Sequence, residues 1–325
     1  MIKYIGKRIL MLIPVLLGVV LLVFSMMYFS PGNAEDYILG DMATEEDKEA
    51  FREEHGLNEP FVIQYINYVK DALRGDLGIS YTTKQPVAEE IFKRFPTTFK
   101  LALLSTLWSI VIGITIGIIS AVRQYSILDN VTRLIAMLGV SIPTFWEGLM
   151  LIILFSVQLA LLPASGFTTW KHWILPSFTI GTHSAATVMR MMRSSMLEAI
   201  RQDYITTAKS KGQTNFVVVT KHALRNAIIP VMTLVGVNFG KLLGGSAITE
   251  IVFSIPGLGN LIIDGIKVKN APLVQGGILV IALAMALCNL IIDVLYAYVD
   301  PRIRSQYVKP RVKLASKSAT TEEEK

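Results

Sequence analysis

Arg190-Met-Met-Arg-Ser-Ser-Met-Leu-Glu-Ala-Ile-Arg-Gln-Asp-Tyr-Ile-Thr-Thr-Ala-Lys-Ser-Lys-Gly212, continuing Gln-Thr-Asn-Phe-Val-Val-Val-Thr-Lys-His-Ala-Leu-Arg-Asn-Ala-Ile-Ile-Pro230, is the stretch that decides how this chain is built. Asp203 is a good N-cap, and Tyr204–Lys211 supplies two helical turns. Lys209 and Lys211 complement the negative end of that helix dipole. Gly212 suits a left-handed C′ position. Thr214 or Asn215 caps a second helix that leads to Pro230. The expected result is a helix–glycine–helix elbow between two apolar runs. So short a helix is unstable alone in water, which implies a groove on a soluble partner. A basic loop resting on anionic headgroups explains the charges. It does not explain the caps, the small face Thr207/Ala208 or the glycine.

Outward from the elbow the sequence is apolar in blocks. Of 325 residues 52% are hydrophobic and 17% charged, against about 25% charged in soluble domains. The polar residues cluster between runs at Ile9–Phe29, Phe99–Val122, near Leu134–Leu162, Ile174–Met192, Ile228–Ile248 and Gly277–Val299. Each is about as long as a bilayer-crossing helix. The third is too long for one straight span, and Pro143 should separate an interfacial turn from the span proper. The fourth is the least apolar, with Thr179, Thr182, His183 and Ser184. The first is too long for the apolar core of a cleaved signal, and Ser30-Pro31-Gly32-Asn33-Ala34 is a poor cleavage site. A soluble enzyme, a disordered chain and a fibrous repeat are thereby disfavoured.

Basic residues set orientation. With the N-terminus inside, the inner segments hold 19 of the 31 Lys and Arg and the outer loops 10. Both termini are therefore expected in the cytoplasm, and the net charge of +6 needs no nucleic-acid partner. The outer loop Ser30–Thr98 is expected to carry short helices. Thr44 caps Glu45–Glu54, ended by Gly56. Pro60 opens a helix whose stripe is Phe61, Tyr65, Val69 and Leu73, closed by Gly75. Val87–Phe95 follows, and Pro96-Thr97-Thr98 caps the second span. A covering lid and a docking face both fit this loop.

Polar residues inside spans are functional candidates. Glu147, His183, Lys241 and the pair Asn289/Asp293 qualify. The last two lie four apart on one helix face and suit interhelical bonding. His183 suits a backbone carbonyl or the path, and Lys241 suits a bond to Glu147 or an interface. Gly113/Gly117 and Gly236/Gly240/Gly244 suit close helix approach. Gly240-Lys241-Leu242 is no phosphate-binding loop, since no Ser or Thr follows the lysine. No catalytic set and no metal site is expected, and Cys288 stands alone. A membrane serine protease using Ser141 and His183, and an ion-coupled secondary transporter, are the competing classes.

The elbow resembles the EAA loop of ATP-binding-cassette (ABC) importer permeases of the oligopeptide/dipeptide type. The resemblance rests on Asp203-Tyr204-Ile205, Ala208-Lys209-Ser210-Lys211-Gly212, and His222-Ala223-Leu224-Arg225-Asn226-Ala227 with Pro230. It extends to Gly75-Asp76-Leu77-Gly78, Arg94-Phe95-Pro96-Thr97-Thr98, Ser141-Ile142-Pro143, Glu250 through Gly259, Val274-Gln275-Gly276 and Asp300-Pro301-Arg302. The chain departs from the pattern at Asn33-Ala34, Glu147 and Lys241. The resemblance implies an all-α polytopic membrane protein of six transmembrane helices with type I importer architecture. Residues 1–29 would hold the first span, 30–98 the extracytoplasmic loop, 99–300 the permease core with coupling loop 193–227, and 301–325 a cytoplasmic tail. It implies a non-enzymatic permease for dipeptides or oligopeptides in the cytoplasmic membrane. Nickel chelates, glutathione or oligosaccharides are the alternative solutes. The implied partners are a second homologous permease in a heterodimer, two cytoplasmic ATPase subunits carrying ATP and Mg, and an extracytoplasmic peptide-binding protein. Asp203, Tyr204, Thr207, Ala208, Lys211 and Gly212 would form the ATPase-coupling contact.

Overall fold

The computed structural model describes residues 2–40 and 42–299, so Asp300-Pro301-Arg302 and the 301–325 tail lie outside the described residues. Helix α1 (Ile2–Phe29) leads into three short helices, α2 (Ala34–Leu39), α3 (Glu45–Glu54) and α4 (Phe61–Ala72). Thr44 caps α3 through a capping box: its hydroxyl accepts from Asp47 N at 3.2 Å and the Asp47 carboxylate accepts from Thr44 N at 3.0 Å. That satisfies two N–H groups the helix would otherwise leave open. Gly56 ends the turn at φ +64.

Helix α5 (Val87–Val122) is continuous over 36 residues, through Pro96. The expected break and cap at Pro96-Thr97-Thr98 do not occur. Thr98 is buried instead, its hydroxyl donating to Glu250 Oε1 at 2.7 Å and accepting from Leu258 N at 2.8 Å. Glu250, fully buried, also accepts from Ser246 Oγ at 3.0 Å and Asn260 N at 2.9 Å. A charged carboxylate survives burial only with such donors. Gly257 must be glycine here, because a Cβ would overlap the Glu250 carboxylate. The Glu250–Gly259 motif is thus a structural knot joining α5 to α12 (Ala247–Val252) and α13 (Leu258–Lys267).

The long third run is divided at Pro143, as its proline suggests. Helix α6 (Ile127–Ser141) and the pair formed by α7 (Thr144–Ile152) and a π-helical turn (Ile153–Gln158) meet at 101°. Helix α8 (Ile174–Ile200) runs parallel to α5. A Cβ on Gly113 would lie 2.7 Å from Val188 Cβ, and one on Gly117 2.7 Å from Met192 Cβ. These glycines let two helices approach backbone to side chain. Because α5 and α8 are parallel, the end of α8 that leads to the elbow lies at the opposite end of the bundle from the 30–86 segment, which precedes α5. The elbow itself is α9 (Asp203–Ser210), α10 (Asn215–Val217) and a π turn (Val218–Ala223), which runs on into α11 (Leu224–Gly245). The last helix among the described residues is α14 (Ala271–Val299).

Among the described residues four helices are long and apolar enough to cross a bilayer, five if the bent α6/α7 pair is one span. Helix α8, with 27 residues, is long enough but more polar. Its position explains why. Thirteen of its residues are buried, packed against α5, α6, α7 and α11. A helix screened from lipid by its neighbours can carry Ser177, Thr179 and Thr182, whose hydroxyls bond backbone carbonyls one turn back.

Candidate functional site

The elbow is where the expected residues come together. Its first arm begins one residue earlier than the sequence suggests. Gln202 is the N-cap (φ −78°, ψ 151°), and Asp203 is the first helical residue. Asp203 is still placed well, since its charge faces the positive end of the helix. At the other end Gly212 stands at φ +77. Gly212 N donates to Lys209 O at 2.9 Å and Gln213 N to Ala208 O at 3.4 Å. This paired closure is the Schellman form, which needs a left-handed residue. Gln213 Oε1 then meets His222 Nε2 at 2.6 Å, tying the turn to the second arm. Thr214, extended at ψ 149°, is the N-cap of that arm. The arm and the following span form one helix, Asn215–Gly245, passing through Pro230.

The packing of α9 revises two expectations. Ile205 and Ala208 are 1% and 5% exposed and share one core with Val218, Ala223, Met196 and Ala199. Burying a side chain such as Ile205 contributes about 1.5–3 kcal/mol. The second arm therefore covers the apolar side of α9, and no partner is needed to fold it. Ala208 lies in this core, not on the presented face with Thr207. The outward face carries Asp203, Tyr204, Thr207, Lys211 and Gly212, with Phe216 76% exposed beside them. The same core continues into Val188 and Met192 of α8 and Ala227, Val231 and Val235 of α11. The elbow and both flanking helices are one packed body.

A second buried group joins this body to α6. Asp129, fully buried, accepts from Arg193 Nε at 2.8 Å and Arg193 Nη2 at 2.9 Å. It also accepts from Ser120 Oγ at 2.5 Å and Tyr125 N at 3.0 Å. One carboxylate thus clamps the ends of α5 and α8 to the start of α6, with bidentate geometry that holds Arg193 in one orientation. Sequence reasoning missed it. The available signal was an acid in the first turn of an apolar helix, three residues after the cap Ser126.

The intramembrane polar residues do not converge on one site. Glu147 Oε1 accepts from the Thr182 hydroxyl at 2.6 Å, so Thr182 and not Lys241 is its partner. Lys241 is on the exposed side of α11. His183 Nδ1 is buried with no hydrogen-bond partner among the described residues, so that atom bonds no backbone carbonyl. Asp293 pairs with Arg8 at 2.9 Å, joining α14 to α1, while Asn289, one turn earlier, is exposed. Ser141 Oγ donates to Met137 O at 2.9 Å, which occupies the hydroxyl a serine nucleophile would need. Among the described residues no three His, Cys, Asp or Glu side chains gather as a metal site.

Comparison with known proteins agrees with this geometry. Residues 113–305 match the family described as binding-protein-dependent transport system inner membrane component, and residues 1–102 match its N-terminal companion. The dipeptide transport system permease protein DppB of Alkalihalophilus pseudofirmus is 42% identical over 332 residues, covering 94% of this chain and 100% of that protein. The glutathione transport system permease protein GsiC of Escherichia coli K12 is 42% identical over 304 residues, covering 94% and 99%. In fold, the chain is similar to a subunit of the inward-facing MetNI methionine ABC transporter. The TM-score is 0.54 at 19% identity, over 65% of this chain and 96% of that one. The chain belongs to the binding-protein-dependent transport system inner membrane components, the permease subunits of ABC importers.

Proposed function

We propose that this permease carries dipeptides or oligopeptides across the cytoplasmic membrane, driven by ATPase subunits that grip the elbow. One observation carries the mechanical part: α9 shares a single core with the ends of α8 and α11. A pull on Tyr204 or Thr207 is then transmitted to two long helices without a soft joint between. Asp129 would pass the displacement to α6 and the bend at Pro143. Two separated sites biasing one bistable element is the physical meaning of coupling here. The peptide class is supported by the DppB relative.

In this reading α8 is a sixth span, both termini are cytoplasmic, and the 30–98 segment faces a peptide-binding protein. A second, homologous permease completes the path. ATP and Mg belong to the ATPase subunits, and this chain performs no chemistry of its own. Glutathione is the second reading, supported by a relative of equal identity. Reconstitution of the purified assembly in vesicles, with labelled dipeptide or labelled glutathione, tests both. ATP-dependent uptake of the dipeptide in preference to glutathione is expected. Uptake that ignores ATP but collapses with an ion gradient would overturn the proposal in favour of a secondary transporter.

A further inference from the structure

Between the end of α1, the helices α2–α4 and the start of α14 lies a cavity of about 430 Å³, far from the elbow. Its walls come from segments distant in sequence, which only the fold brings together. Glu35, 4% exposed, holds Arg52 Nε at 2.6 Å on one wall. Tyr81 is buried against Phe51 and His55, and its N–H donates to Asn270 Oδ1 at 3.2 Å. These contacts make the cavity a built feature.

Three lining groups are left without a matching partner. The Tyr68 hydroxyl is buried with no hydrogen-bond partner among the described residues. Lys269, held through its ammonium to Ser30 Oγ, forms no ion pair among them. Glu59, exposed at the rim of the cavity, likewise forms no ion pair among the described residues. A buried hydroxyl such as that of Tyr68 is normally satisfied, by ligand or water where the protein does not serve. Among the described residues the cavity thus offers an ammonium with no carboxylate partner, a rim carboxylate with no cation and a buried unpartnered hydroxyl, which fits a molecule carrying both charges. Its volume lies within the range of small-ligand sites, about 300–1,000 Å³.

We propose that this cavity binds a short zwitterionic peptide, with the ligand carboxylate on Lys269, its ammonium on Glu59 and a peptide carbonyl on the Tyr68 hydroxyl. The proposal rests on the peptide reading above and adds a site that belongs to this chain alone. The test is calorimetric titration of the reconstituted permease–ATPase assembly, without receptor, using glycyl-leucine and its N-acetyl amide. One site per copy is expected for glycyl-leucine and none for the blocked peptide. Tyr68→Phe should weaken binding about fivefold and Lys269→Met about tenfold or more, with elution profiles unchanged. Absence of binding, or binding indifferent to both substitutions, would overturn the proposal. ATP-driven uptake of the same peptide separates the two ideas. Uptake without binding at this site refutes the cavity and leaves peptide import standing. Binding without uptake supports the cavity and refutes peptide import.

Discussion

Gly212 offers the sharpest perturbation of the elbow. It stands at φ +77, and no atom lies within 4 Å of where a Cβ would be. A substitution there meets no steric clash, so its cost is conformational only. Placing an L-residue in the left-handed region costs about 1–2 kcal/mol. That shifts the equilibrium of the closed elbow about 5- to 30-fold. Asparagine tolerates this region better than alanine, a β-branched residue worse, and proline, fixed near −65°, not at all. Uptake per ATP hydrolysed, measured in vesicles, should therefore fall in the order Gly212, G212N, G212A, G212V, G212P, with equal amounts of permease in the membrane. Wild-type coupling in G212P, or G212N falling below G212A, would refute the reasoning, because neither follows from backbone geometry.

Four further outcomes follow from burial and exposure. Ala208→Glu places an unpaired charge in the elbow core, and should detach α9 and abolish uptake. Thr207→Glu, on the exposed face, should leave the permease as heat-stable as wild type and lower only ATPase recovery on co-purification. Asp129→Ala strands the Arg193 guanidinium, whose side chain is 17% exposed, at a cost of about 3–5 kcal/mol. Thermal unfolding in detergent should show that loss, and D129L/R193M should recover part of it. Glu250→Gln keeps the shape of the knot but removes the charge from its bonds to Thr98, Ser246 and Asn260. We expect about 1.5–3 kcal/mol of destabilisation by the same measurement.

Local chemistry was legible, and partnership between helices was not. The capping box at Thr44, the glycine at 212 and the break at Pro143 each depend on backbone groups a few residues away, so the sequence carries them. The register of α9 was off by one because an acid is favoured both at the cap and in the first turn. The face of Ala208 could not be read, since successive helical residues point about 100° apart and only the second arm decides which is covered. Asp129 and Arg193 are 64 residues apart, and Glu250 meets Thr98 across 152. Nothing in either neighbourhood announces the other. Pro96 misled because proline usually opens or ends a helix, whereas α5 absorbs it in its interior. The modest hydropathy of α8 reflects its neighbours, a property of the bundle and not of the segment.

The central claim is that the outward face of α9 is held by an ATP-hydrolysing neighbour on the cytoplasmic side. A single cysteine at Thr207, in a C288S background, tests it most directly with a short bifunctional maleimide in intact membranes. The account predicts a nucleotide-sensitive cross-link to an ATPase subunit and protection from membrane-impermeant reagents added outside the cell. Labelling from outside, or no cross-link in any nucleotide state, would contradict it.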